Sequence, residues 1–133
     1  MFLFDTDTLT NIVKPKPSPR LLARLGTIPQ SQQFISTVTI AEIVYGAMKS
    51  NRPDYHLQNL EQVLLPAVNV VGFDAKAAYV CGQIRAELEK RGLPLALADM
   101  EIASIAIAND FTLVTNNVRH FGRIAQLRYE NWL

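Results

Sequence analysis

Phe2-Leu3-Phe4-Asp5-Thr6-Asp7-Thr8-Leu9 is the stretch whose reading decides the fold. Three large apolar residues in a row predict a short buried strand, too short to test for alternation. Asp-Thr-Asp-Thr follows, and Leu9, Ile12 and Val13 then take the spacing of one helical face. A strand that ends in acids where a helix begins is the ligand position of an open α/β sheet, at the carboxyl end of a strand. The competing explanation is that Asp5 or Asp7 caps the helix by accepting from its free N–H groups. Two acids here, with more in similar places downstream, favour a functional role for Asp5 and leave the cap to Asp7.

The bulk properties set bounds on this reading. A chain of 133 residues is expected to be one domain that needs no covalent staples. It is 49% hydrophobic and 19% charged, as expected of an ordinary soluble globule. The single cysteine, Cys81, excludes an internal disulfide and falls in a helical apolar pattern, so it reads as a core thiol in a reducing compartment. No apolar run reaches the roughly 18 residues of a membrane span. Asp5 interrupts any signal-peptide core, so a cytoplasmic location is expected. The net charge of +1 neither demands nor excludes a nucleic-acid partner.

Strands and helices alternate along the rest of the chain. Lys14-Pro15-Lys16-Pro17-Ser18-Pro19 breaks the first helix, and Ser18 with Pro19 starts a second that Gly26 and Pro29 stop. Phe34-Ile35-Ser36 reads as a second strand, and Thr39 as the start of a helix through Ile40, Ile43, Val44 and Ala47. Pro53 opens a helix that ends before Pro66. Residues 68–73 read as a third strand, and Asp74 caps a long helix that closes at Arg91-Gly92. A helix rich in small residues covers 97–109. Thr112-Leu113-Val114 is a fourth strand, and Leu127-Arg128-Tyr129 a fifth at the edge. This order predicts an α/β fold with a mainly parallel four- to five-stranded sheet and helices on both faces.

Two further acids fall where Asp5 does. Glu42 lies in Thr39-Ile40-Ala41-Glu42, which fits a capping box, yet it is also expected in the first helical turn after strand two, on the same sheet edge as Asp5. Asp99 ends the nearly apolar run Leu93-Pro94-Leu95-Ala96-Leu97-Ala98 and shares a helical face with Ile102, Ala103 and Ala106. A carboxylate there must be paired or bind a cation, because unpaired burial costs several kcal/mol. Glu101 points about 200° away and reads as a surface charge. Three carboxylates at one edge repel unless a cation sits among them, and hard oxygen ligands suit Mg²⁺, with Mn²⁺ as substitute. Such a site activates water and stabilises a phosphodiester's developing charge without a His or Cys nucleophile. Thr115-Asn116-Asn117-Val118-Arg119-His120-Phe121 is the last polar cluster. Its Asn and Thr residues suit a turn, while Arg119, Arg123 and Arg128 make this end basic.

Taken in order, these motifs resemble a PIN-domain protein, of the VapC-type toxin ribonucleases found in bacterial toxin–antitoxin pairs. The resemblance runs through Leu3-Phe4-Asp5-Thr6-Asp7, residues 39–46, residues 82–88, Gly92-Leu93-Pro94 leading to Asp99, and residues 113–121. It implies a Mg²⁺-dependent endoribonuclease, dimeric and inhibited by a VapB-type antitoxin, with the metal held by Asp5, Glu42 and Asp99. Similar toxins cut transfer RNA. Thr115 and Asn117 are accessory candidates, and Arg119, His120 and Arg123 candidate RNA contacts. Many relatives carry a fourth acid at the position of Asn117 or His120, and neither is acidic here. The resemblance further implies an antitoxin groove along residues 18–28 and 39–65.

Two rival functions share part of this pattern. The opening motif also matches haloacid-dehalogenase-type phosphatases, but these need a Lys and an acidic pair downstream. Only 18 residues follow Thr115, and they hold one acid, Glu130, and no Lys. A catalytically inactive PIN-like module that binds RNA or a partner protein is the remaining alternative.

Overall fold

A computed structural model describes residues 1–133. Its centre is a five-stranded, wholly parallel sheet of order β3-β2-β1-β4-β5. The strands are β1 (Phe2–Phe4), β2 (Gln33–Ser36), β3 (Asn69–Val71), β4 (Thr112–Val114) and β5 (Tyr129–Glu130). Between them run α1 (Thr6–Asn11), α2 (Pro19–Leu25), α3 (Thr37–Lys49), α4 (Pro53–Gln58), α5 (Ala75–Lys90), α6 (Leu97–Ala108) and α7 (Val118–Phe121). The expected parallel sheet with helices on both faces is therefore present.

Alternation along the strands splits the core in two, since successive strand residues point to opposite faces. Leu3 and Leu113 join Ile84, Leu88 and Ile102 of α5 and α6 on one face. Phe4, Ile35 and Val114 join Leu9, Leu21 and Leu64 on the other. Trp132 packs edge-on against Phe4 with centroids 5.6 Å apart, which ties the chain's end to this second core. Cys81 is buried, as its apolar setting predicts.

The strand order positions the site. The chain builds outward from β1 through β2 to β3, then returns to the other side of β1 to lay down β4 and β5. The direction of winding reverses between β1 and β4, and ligands of open α/β sheets bind at the carboxyl ends of the strands at this point. Asp5 follows β1 and Thr115 follows β4.

Several boundaries differ from the sequence reading. Ser18 and Asp74 cap α2 and α5 as expected, accepting from Leu21 N at 3.3 Å and Ala77 N at 2.9 Å. Gly92 follows α5 at φ +66°, a conformation glycine adopts without strain. The cap of α3, however, is Ser36, whose Oγ accepts from Thr39 N at 3.0 Å. Thr39 is thus the third helical residue rather than the cap, and Glu42 stands in the second turn, with no capping box. The third strand stops at Val71 because its partner β2 ends at Ser36. The helix opened by Pro53 passes at Asn59 into a π-helical turn, Asn59–Leu64. The fifth strand begins at Tyr129, with Leu127 buried in the core instead. The polar cluster after β4 is not all turn, since α7 forms within it.

Candidate metal-dependent nuclease site

The site grows out of the β1 carboxyl end. Asp5 N donates to the Val114 carbonyl at 2.9 Å, which carries the β1–β4 pairing one residue past the strand. The Asp5 side chain then serves two elements. Its Oδ1 accepts from Thr6 N at 2.8 Å and caps α1, and its Oδ2 accepts from Thr115 Oγ1 at 2.8 Å. Asp5 is 7% exposed. Asp5, rather than Asp7, is therefore the cap. Asp7 is exposed and makes no side-chain hydrogen bond, so its expected capping role is not observed.

Hydroxyl groups extend this contact across three strands. Toward β4, Thr115 Oγ1 also accepts from Asn117 N at 3.0 Å. The Asn117 side-chain amide lies 3.0 Å from His120 Nδ1. Toward β2, Thr6 Oγ1 donates to Glu42 Oε1 at 2.8 Å and stands 3.2 Å from Thr39 Oγ1, itself beside the Ser36 hydroxyl. From the sequence, Thr6 and Ser36 have no expected role in the site, and Thr39 only that of a helix cap. Ser36 and Thr39 carried a signal, two hydroxyls three residues apart at a helix start, but Thr6 acts through a partner 36 positions away.

Asp99 enters from α6, where it is the third helical residue and half-buried, as its run of apolar neighbours implied. It makes no hydrogen bond within the protein. Burial pushes its carboxyl above the usual range, the Glu42 charge adds to this, His120 opposes it, and Asp7 contributes a further rise. The Asp5 carboxyl is pushed up to about 6, first by burial, against the Thr115 and Thr6 hydrogen bonds, with the Asp99 and Asp7 charges raising it further. Asp99 is thus within electrostatic reach of Asp5 on one side and Glu42 on the other, and Asp7 is within reach of both aspartates. Glu101, expected on the surface, is half-buried.

As the side chains stand, no three acidic, His or Cys groups converge on one point at ion-binding spacing. Glu42 is turned onto Thr6, and both Asp5 oxygens are taken by protein donors. The chemistry of the set nevertheless fits a hard divalent cation. It offers carboxylates, a threonine hydroxyl and an asparagine amide, all oxygen donors, and the Asp5 and Asp99 carboxyls carry the raised pKa values of anions short of counter-charge. Arg119 is exposed and unpaired. Arg123 Nη1 instead donates to the Pro94 carbonyl at 3.0 Å and fastens the loop that leads into α6.

Residues 2–127 match the PIN domain family. A tRNA(fMet)-specific endonuclease VapC of Shigella flexneri is 37% identical over 131 residues, covering 98% of this chain and 97% of that protein. The chain belongs to the VapC group of PIN-domain proteins. The ribonuclease VapC2 of Rickettsia felis is 35% identical over 137 residues, covering 99% of this chain and 98% of the relative. Among solved structures, this PIN domain is similar to a chain in the DNA-bound VapBC complex of Salmonella typhimurium, with a TM-score of 0.91 and 37% identity over 99% of this chain and 98% of that one. It is also similar to a chain of FitAcB from Neisseria gonorrhoeae, with a TM-score of 0.88 and 27% identity over 98% and 97% of the two chains. No helix of this PIN domain is long and apolar enough to cross a membrane.

Proposed function

We propose that this chain is the toxin of a toxin–antitoxin pair, an endoribonuclease that hydrolyses RNA phosphodiester bonds with Mg²⁺ and is neutralised by a VapB-type antitoxin. The observation that carries the reading is the meeting of Asp5 and Asp99, both with raised pKa values, at the sheet's switch point in a chain with VapC relatives over nearly its whole length. The relatives' names extend the proposal to transfer RNA as substrate, and the neighbouring VapBC complexes to an antitoxin as partner; a homodimer is part of the proposal on the family resemblance alone.

Asp5, Glu42 and Asp99 would hold the cation. A divalent ion held there would supply positive charge to the phosphodiester and acidity to water. The chain's own residues do the rest. Thr6 N and Thr115 Oγ1 fix the Asp5 carboxylate from two sides. Thr115 also orders the turn that presents Asn117 and His120. Asp99 has no hydrogen-bond partner in the protein, which leaves its oxygens free for the cation and for orienting a water beside it. Arg119 at the rim offers its guanidinium to a phosphate. The alternative, a PIN-like binding module without catalysis, is favoured by one observation, the lack of three convergent ligands in the side chains as placed.

Purified chain incubated with total RNA separates the two. The nuclease reading predicts fragments with Mg²⁺ or Mn²⁺ and none with EDTA. Intact RNA in every arm, from a chain that still retains RNA or an antitoxin, would establish the binding module.

A further inference from the structure

A cavity of about 440 Å³ opens beside the carboxylates, between α1, α3 and α4. That volume lies within the roughly 300–1,000 Å³ of small-ligand sites. Asp7 and Glu42 stand on its wall where α1 begins and α3 passes, while Lys14, Arg52, Tyr55 and His56 line the part made by the chain beyond α1 and by α4. The Arg52 guanidinium lies 4.3 Å over the Tyr55 ring centroid, and the His56 ring meets the same ring edge-on at 5.3 Å. Tyr55 is 46% exposed, so a large apolar ring is held open to solvent beside a cation. Neither Lys14, Arg52 nor His56 takes part in any of the molecule's three ion pairs. The π-helical turn that follows α4 places both of its ends, Asn59 and Leu64, on the same wall. Such turns are rare and are frequently found at functional sites.

We infer that this cavity is a subsite for the single-stranded RNA nucleotide next to the cut, with its base on the Tyr55–Arg52 stack and its phosphate against Lys14 and His56. The inference rests on the nuclease reading above, which puts a phosphodiester at the carboxylates. A strand leaving that point carries an anion and a flat base at every step. The cavity opens from the carboxylate edge and supplies both complements, unpaired cations and an exposed aromatic ring already stacked with a guanidinium. Bases stack on aromatic rings and on arginine planes without regard to sequence, so the subsite sets the strand's path rather than its identity.

The test uses the whole chain and an unstructured RNA oligonucleotide, with cleavage kinetics in Mg²⁺ and binding by fluorescence anisotropy in EDTA at several salt concentrations. Tyr55→Ala should raise KM about tenfold with kcat changed less than threefold, and Tyr55→Phe should restore KM. Lys14→Ala should lower the slope of log K against log salt by about 0.7, one phosphate contact's worth for a single strand, and Arg52→Gln, which takes the guanidinium from the stack, should raise KM as Tyr55→Ala does. Tyr79→Ala, exposed on α5 outside the cavity, is the control and should change neither quantity. Wild-type KM and salt slope in the Tyr55, Lys14 and Arg52 variants would overturn the subsite. So would variants that lose only their hold on an antitoxin peptide, which would make the cavity a peptide site. If the wild-type chain cuts no RNA while binding still depends on Tyr55 and Arg52, the subsite stands and the nuclease reading falls.

Discussion

Asp5→Asn should make the metal-free protein more stable at neutral pH, although it removes a residue at the centre of the site. Burial holds the Asp5 carboxyl at about 6 against 3.8 for the free group. At about 1.36 kcal/mol per tenfold, ionised Asp5 costs the fold roughly 3 kcal/mol above pH 6. A carboxyl whose folded pKa is raised binds its proton more tightly in the native state. Its contribution to stability is therefore full below pH 3.8 and lost as pH climbs through about 6. Asparagine removes the charge, and its Oδ1 still accepts from Thr6 N. Its Nδ2 then faces Thr115 Oγ1, which must turn from donor to acceptor while already accepting from Asn117 N, and that change costs about 1 kcal/mol. The net gain is about 2 kcal/mol at pH 7.5, on the order of 5–10 °C in Tm for a chain of this size. At pH 4 the wild-type carboxyl is protonated in the fold, and the gain should vanish or reverse. Thermal melts followed by circular dichroism in EDTA at both pH values measure this. A variant less stable than wild type at pH 7.5, or one with the same gain at pH 4, would refute the account of Asp5 as a buried, under-compensated anion.

Three further outcomes follow from individual contacts. Thr8 Oγ1 is the one buried side-chain polar atom without a hydrogen-bond partner, so Thr8→Val should stabilise by about 1 kcal/mol in urea unfolding; a loss of stability would mean that the hydroxyl is satisfied. Asp7 neither caps α1 nor bonds to the other carboxylates, so Asp7→Asn should keep the fold and retain RNA cleavage within about threefold, a change of under 1 kcal/mol in the barrier. A loss as deep as that of Asp5→Asn would make Asp7 a ligand. Arg119→Ala should lower the salt slope of RNA binding by about 0.7 without changing Mg²⁺ affinity, whereas Arg123→Ala, which frees the Pro94 loop, should lower stability as well.

The architecture was legible because its signals are local. Apolar triplets followed by acids mark β1 and its turn, and Ser18-Pro19 and Asp74 cap their helices within three residues. What escaped the sequence depends on distant partners. Whether Ser36 or Thr39 caps α3 turns on where β2 stops pairing with β3. The capping box that Thr39 and Glu42 suggest beside the expected site role of Glu42 is absent, because the Glu42 carboxylate meets Thr6 across the sheet edge, a contact no local pattern shows. Asp5 was singled out as a ligand and Asp7 as a cap, yet Asp5 caps α1 while also meeting Thr115, 110 positions away. Asp99 was found because a lone acid in an apolar run has few structural uses. Tyr55 and His56 carry no local signal, because their cavity forms only when α1, α3 and α4 pack together.

The central claim is that three carboxylates at the β1–β4 switch point make a metal-dependent ribonuclease. The most direct measurement compares the wild-type chain with Asp5→Asn, Glu42→Gln and Asp99→Asn, each shown to be folded, in cleavage of RNA across a Mg²⁺ titration. The account predicts Mg²⁺-dependent cleavage by the wild type and a loss of at least about a hundredfold in each variant, nearly 3 kcal/mol of transition-state stabilisation. Cleavage by Asp99→Asn at the wild-type rate, or wild-type cleavage that persists in EDTA, would contradict it.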